Sequence, residues 1–439
     1  MGGKASIYMV LGFSLIFMVA GFNFSSLTNR AVDNEANYFS ETKAHDIAVI
    51  GANIASNKVW LDNTWTGQYN NVSINNGQLN LKVLPVSSNE VQIISVGTYQ
   101  GSSVEKVAND TIKVLMRPMS YAQFGYYMSN FPGNLFFYTG DVIYGTFHTQ
   151  GNLRVKGRPT FWGRATAKKG VTPLKNDPVT DPAFNGGFEQ GVDIPLEWNA
   201  DITKTAAQNN GCVFSSGSGQ PIDVRLVFNA DATVTFSTRI GNGSWSSDST
   251  VALSTLAPNG VIFVDKGNVY LKGTVNGQYT IAVDQSSGNG TGNVYLEGDI
   301  VYHDPVQQVN PNDPHDYPGN YKVIGTDMLG IVCSNNIEIV NNADNQNNIN
   351  IDAALFCLKG GLEIQDNNMP ASGYINLIGS ITEFTSQVTG VVDGSGHIIH
   401  GYNERIYFDQ RFRTAAPPYY PLTGRLIPVT WYESTWFAD

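Results

Sequence analysis

Residues 5–22 (ASIYMVLGFSLIFMVAGF) contain no charged side chain; Lys4 precedes the run, and Arg30 is the first charge after it. An α-helix rises about 1.5 Å per residue and needs roughly 20 apolar residues to cross a bilayer, so the run reads as a single-pass membrane anchor. Ile7, Val10, Leu11, Phe13, Leu15, Ile16, Phe17 and Val19 supply its bulk. A basic residue on the short side keeps that side in the cytoplasm and sends the rest of the chain outward. Two other readings compete. A removed secretory signal needs small residues at a cleavage site, for which SSLTNRA is a weak candidate, and a buried core helix fits poorly with so long an uncharged run.

The segment that follows shows what kind of anchor this is. From Ser25 to Trp60 there is no Pro, and the only Gly is Gly51. Ala44, Ile47, Ala48, Ala52 and Ala55 recur at helical spacing with Ile50 and Ile54 beside them, while Asn34, Glu35, Glu41, Lys43 and Asp46 supply the polar positions. One helix over residues 1–58 is expected, greasy in its first half and amphipathic in its second. Some fifty helical residues make a rod of about 75 Å.

Gly2-Gly3 before the apolar run, the length of that run, and the later NEANYFSETKAHDIAVIGANIA together resemble the N-terminal segment of type IV pilin-like proteins, in particular minor pilins of the pilus-assembly type. The resemblance covers about sixty residues. It implies a short leader, with Gly2, Gly3 and Lys4 as processing candidates, and a helix that continues as the spine of a globular part. Pilins usually carry Glu at the fifth mature position; here that position is Tyr8 if cleavage follows Gly3, or Ile7 if it follows Gly2.

Composition narrows the function classes. Lys and Arg total 26 against 37 Asp and Glu, a net charge of -11 with no basic cluster, which argues against nucleic acid as a partner. Only 14% of the 439 residues are charged, and 45 Gly, 21 Tyr and 22 Phe accompany recurrent Asn-rich turns, a mix typical of extracellular β-rich proteins. Three cysteines, Cys212, Cys333 and Cys357, are too few for a disulfide scaffold. Cys333 and Cys357 lie 24 residues apart before similar turns, so either a disulfide or two stacked free thiols is open.

The expected fold class is mainly β after the helix. Residues 59–130 read as a small β-sheet unit packed on the helix, with the Ile47, Ile50 and Ile54 stripe as its surface: VSI, LNLKVL, VQIISV and TIKVLM alternate between turns such as NNG and YQGSS. Residues 131–439 read as a β-helix or β-solenoid, because short strands recur behind Gly or Asn turns. The GNVYL copies at Gly267 and Gly292 are 25 apart, as are Ile337 and Leu362, and a constant period of this size means stacked coils. Residues 168–258 read as an inserted lobe with a helix at EWNADITKTAAQNNG, and the aromatic end from Tyr419 to Phe437 as a cover for the last coil. YGTFHTQGNLRVKG, the GNVYL repeats, DMLGIV and the closing segment resemble an uncharacterised β-helical domain found behind pilin-like anchors in bacterial envelope proteins.

No catalytic constellation stands out. There is no G-x-S-x-G elbow, no P-loop and no cofactor motif, and His397 and His400 lack the HExxH context of a zinc pair. Asp299, Asp304, Asp313 and Asp316 offer oxygen ligands for calcium, against which stands ordinary turn chemistry beside Pro and Gly. Three functions are weighed. The first is a non-catalytic inner-membrane protein, its bulk periplasmic or extracellular, acting in type IV pilus or pseudopilus assembly or in adhesion. The second is a free-standing anchored surface or periplasmic binding protein. The third is a β-helical polysaccharide-degrading enzyme using Glu297, Asp299 or Asp304. The implied partners are membrane lipid and, from the resemblance, other pilin-like subunits; a surface or carbohydrate ligand stays unassigned.

Overall fold

A computed structural model of the chain describes residues 2–434 except 88, 102–106, 134, 174–179, 218, 286–290, 311, 313–316 and 393–397. The chain is mainly β and divides into two units, residues 1–119 with 424–439, and residues 120–423.

In the first unit one helix runs Gly2–Leu61 without a break, a few residues past the expected end. A five-stranded sheet follows in the order Gln68–Ile74, Gly77–Pro85, Val91–Tyr99, Ala108–Ser120 and Leu422–Ser434, its first four strands antiparallel. The first hairpin turns at Asn75 and Asn76, both with positive φ, as a tight two-residue loop requires. Ala44, Ile47, Ala48, Ala52, Ala55 and Val59 bury the helix against Leu79, Leu81, Ile93, Ile112 and Val114. The expected isoleucine stripe is thereby corrected: Ile47 faces the sheet, but Ile54 is 37% exposed. Small residues form the contact because the backbones come close. A Cβ on Gly97 would lie 2.0 Å from Ala44 O, and one on Gly51 would lie 2.3 Å from Ser95 Oγ. Ser95 Oγ donates to Ala48 O at 2.7 Å in this buried seam, and His45 Nδ1 meets the buried Asp110 carboxylate at 2.6 Å. The closing segment is also corrected. Its strand does not cover a coil but joins the edge of this sheet, and Arg425 Nη1 donates to the last helix carbonyls of Trp60 and Leu61 at 3.1 and 3.0 Å.

The second unit is built from parallel ladders. One runs Ile222–Phe228, Val269–Val275, Val294–Tyr302, Ile337–Ile339 and Leu362–Ile364. Val269 pairs with Val294 and Ile337 with Leu362, so the 25-residue spacings in the sequence mark strand neighbours. Within each strand Val269, Leu271, Val294, Leu296, Ile337 and Ile339 turn inward, and Tyr270, Tyr295 and Glu338 turn outward. The recurrent Asn has a structural reason. Asn268 Oδ1 accepts from Asn293 N (3.1 Å), Asn293 Oδ1 from Asn336 N (3.1 Å), and Asn336 Oδ1 from Gly361 N (3.2 Å). Each side chain thus pins the turn of the next layer.

Another ladder runs Cys212–Phe214, Val261–Asp265, Gln278–Asp284, Met328–Cys333, Ile349–Cys357, Ala371–Thr385, Phe124–Asn130, Thr146–Thr149, Ala165–Ala167 and Phe188–Gln190. This order is a circular permutation of the chain order. The strands that come first in sequence sit after Ala371–Thr385, and residues 191–211 carry the chain back along the stack. Tyr127 Oη donates to Ile194 O (2.7 Å), Glu197 N donates to Tyr121 Oη (3.0 Å), and Trp198 packs on Phe356. The helix Ala200–Asn210 then reaches Val261–Asp265, where Lys204 Nζ meets Asp265 Oδ2 at 2.7 Å.

The expected boundaries at 130 and 168–258 therefore shift. Phe124–Asn130 belongs to the second unit, and Cys212–Phe214 and Ile222–Phe228 are ladder members rather than parts of an inserted lobe. What departs from the stack is the helix with its lead-in and the antiparallel strands Thr233–Ile240 and Ser249–Ala252. Cys212–Phe214 is too short to show periodicity alone, while Phe124–Asn130 and Ile222–Phe228 are long enough to read as strands and only their ladder neighbours decide which unit they join.

Candidate functional site

The N-terminal half of the helix is the first candidate. Among residues 4–39 the apolar side chains stand open: Ile7, Val10, Leu11, Phe13, Leu15, Ile16, Phe17 and Val19 are each more than half exposed. The segment is long and apolar enough to cross a membrane. Gly2, Gly3 and Lys4 are already helical, so the processing candidates lie on the helix itself.

The other sequence-based candidates separate. Cys333 and Cys357 pair in register as free thiols, fully buried, with Sγ atoms 3.5 Å apart, so of the two arrangements left open the structure has the stacked side chains. Burial pushes the Cys357 thiol well up. Asp299 and Asp304 do not converge on a calcium site. Asp299 accepts from Asn350 N and Nδ2 at 2.8 and 2.9 Å, whereas Asp304 Oδ2 accepts from Thr326 N and Asp327 N at 2.6 and 2.8 Å. Asp313 and Asp316 lie outside the described residues. His303, Asp304 and Asp327 do approach one another, but backbone N–H groups take up both carboxylates. Glu297, weighed as a glycosidase carboxylate, is held in a two-pronged pair with Arg225 at 2.8 Å on each prong.

The sequence did not point to the cleft in the second unit. Strand Ala371–Thr385 gives its first part to Ile398–Phe408 and its last part to Phe124–Asn130, so two segments far apart in the chain lie end to end beside it. Where they meet, Asn320 acts as a substitute strand: its Nδ2 donates to Phe408 O (2.6 Å) and its Oδ1 accepts from Phe408 N (2.9 Å). A cavity of about 360 Å³ opens at this joint, lined by aromatic side chains that include Phe131, Phe136, Tyr144 and Tyr407 and by the charged Asp141, Glu404 and Arg405. Tyr144 and Tyr407 stack with centroids 5.8 Å apart.

Behind one wall, Tyr126 Oη donates to Glu383 Oε1 at 2.6 Å. Burial raises that carboxyl to about 8, so Glu383 is protonated at neutral pH. Glu404 and Asp141 are both raised as well, first by desolvation, although both open to the cleft. Thr389 Oγ1 donates to Glu404 Oε1 and Tyr138 N to Asp141 Oδ2, each at 2.6 Å. Glu404 Oε2 and Asp141 Oδ1 have no hydrogen bond among the described residues, nor does either carboxylate have a basic partner there. What could have revealed this site is the density of aromatics in FPGNLFFYTGDVIYG, but nothing local joins that stretch to NERIYF.

No family model matches the chain, and no curated protein matches it. Among solved structures it aligns with the competence-associated pilin ComZ from Thermus thermophilus over 90% of this chain and 98% of that one, at 11% identity and a TM-score of 0.34, too low for fold or role to be carried across.

Proposed function

We propose that this chain is a non-catalytic, pilin-like envelope protein, anchored in the inner membrane by residues 5–22 and acting in assembly of a type IV pilus or pseudopilus or in surface adhesion, with the bulk of the chain periplasmic or extracellular. Its support is the continuity of one helix, Gly2–Leu61, whose first half leaves its apolar side chains uncovered while its second half is seated on a sheet through small residues. Uncovered apolar surface of that extent requires lipid or the matching helices of other subunits. A filament satisfies both demands, lipid before assembly and neighbouring helices after it.

The test is the mature N-terminus, read by mass spectrometry on protein from native membranes and from sheared surface fractions. A start at Gly3 or Lys4, with the protein in the sheared fraction, is expected. Intact Met1 confined to membranes would overturn the filament role and leave an anchored surface protein.

A further inference from the structure

We propose that the cleft at the joint of Ile398–Phe408 and Phe124–Asn130 binds a neutral or amino-sugar ring of a glycan. Its cavity of about 360 Å³ sits at the small end of the roughly 300–1,000 Å³ of ligand sites, room for one or two rings rather than a folded partner. Phe131, Phe136, Phe137, Tyr144 and Tyr407 line it, and flat apolar rings suit the C–H faces of a pyranose. Tyr126 also lines the cleft, and its hydroxyl is tied back to Glu383, which holds that ring in place.

The polar groups set the chemistry. Glu404 Oε2 and Asp141 Oδ1 each have unused acceptor capacity, and a hydroxyl or ammonium donating to a carboxylate makes a charge-assisted bond about twice as strong as a neutral one. An apolar peptide in the same place would strip water from both carboxylates and give nothing back. Arg405 lines the cleft too, its guanidinium held over the Tyr374 ring, so two carboxylates stand against one cation and the net negative charge disfavours uronic acids. Specificity therefore favours glucose-, N-acetylglucosamine- or glucosamine-type rings over acidic sugars.

This inference stands apart from the pilin-like reading, because its test addresses the cleft alone. Full-length protein in nanodiscs is titrated by calorimetry with cellotetraose, chitotetraose, glucosamine tetramer and trigalacturonate. Binding of at least one of the first three, and not of trigalacturonate, is expected. Glu404→Gln and Asp141→Asn keep side-chain shape and are each expected to weaken that binding about tenfold. Phe136→Ala, at an already exposed side chain, is expected to weaken it without changing the circular dichroism spectrum. No binding of the three saccharides at millimolar concentration, equal binding of trigalacturonate, or binding unchanged in all three variants would overturn the proposal.

Discussion

The two halves of the N-terminal helix share one backbone and differ only in what their side chains meet. Between residues 44 and 59, Ala and Gly bring the helix against a sheet so closely that Gly97 has no room for a methyl group. Between residues 5 and 22 bulky side chains stand open, and a Cβ on Gly12 would meet nothing within 4 Å. The first half has its solvent chosen by composition; the second has its partner chosen by shape. Small residues signal close packing, large ones an environment supplied from outside.

The contrast can be broken most sharply in the greasy half. Leu15→Arg places a charge near the centre of the uncharged run and is expected to cost insertion about 3 kcal/mol, shifting protein out of the membrane fraction. Val32→Arg, beyond the run and 58% exposed, is expected to change nothing. Equal fractionation of the two variants would refute residues 5–22 as the spanning segment.

In the seated half the effect is next in size. Gly97→Ala drives a methyl into Ala44 O and is expected to destabilise the first unit by about 1–3 kcal/mol, the usual cost of overpacking. Gly12→Ala is expected to be neutral or slightly stabilising, since Ala is the better helix former. Denaturant melts of the two variants in detergent, with hydrogen exchange over Val91–Tyr99 as the local readout, would sharpen the comparison; a silent Gly97→Ala would mean the seam is looser than described.

The smallest expected effect separates the two units by pH. In the first unit, hydrogen bonds from Thr64 hold the Asp62 carboxyl below its ordinary value. In the second, burial raises Asp352 to about 6, Glu383 to about 8, and Glu338 to about 7 with the neighbouring Glu363 charge adding to it. A folded state that holds protons the unfolded chain releases is most stable below the ordinary carboxyl range and loses that advantage as pH rises. The Tm of the second unit is therefore expected to fall by about 5 °C between pH 5 and pH 8, and Glu338→Gln to flatten the slope. A Tm that rises over this window would show that these carboxyls are not protonated in the folded protein.

Periodicity made much of this readable. The helix, its two-part character, the hairpins before residue 120 and the stacking of Val269 on Val294 and Ile337 on Leu362 all follow from patterns a few to 25 residues long. The direction of Ile54 did not, because a helix wide in apolar residues can seat on several faces, and the small Gly51 and Gly97 decide which one comes closest. Nor did the calcium set, since the turns of Asp299 and Asp304 were visible but their backbone and amide partners, Thr326, Asp327 and Asn350, were not.

By itself, then, the sequence determined a spanning-length apolar helix and a parallel stack, because both rest on local repetition in which each residue's environment resembles that of its counterpart one turn or one layer away. Only the tertiary structure decided that the last strand returns to the first sheet, that strands Phe124–Asn130 onward are stacked after Ala371–Thr385, and that Glu404 faces the same cleft as Asp141. Those are meetings of segments distant in the chain, settled by which edges and apolar faces remain to be covered once every local element has formed.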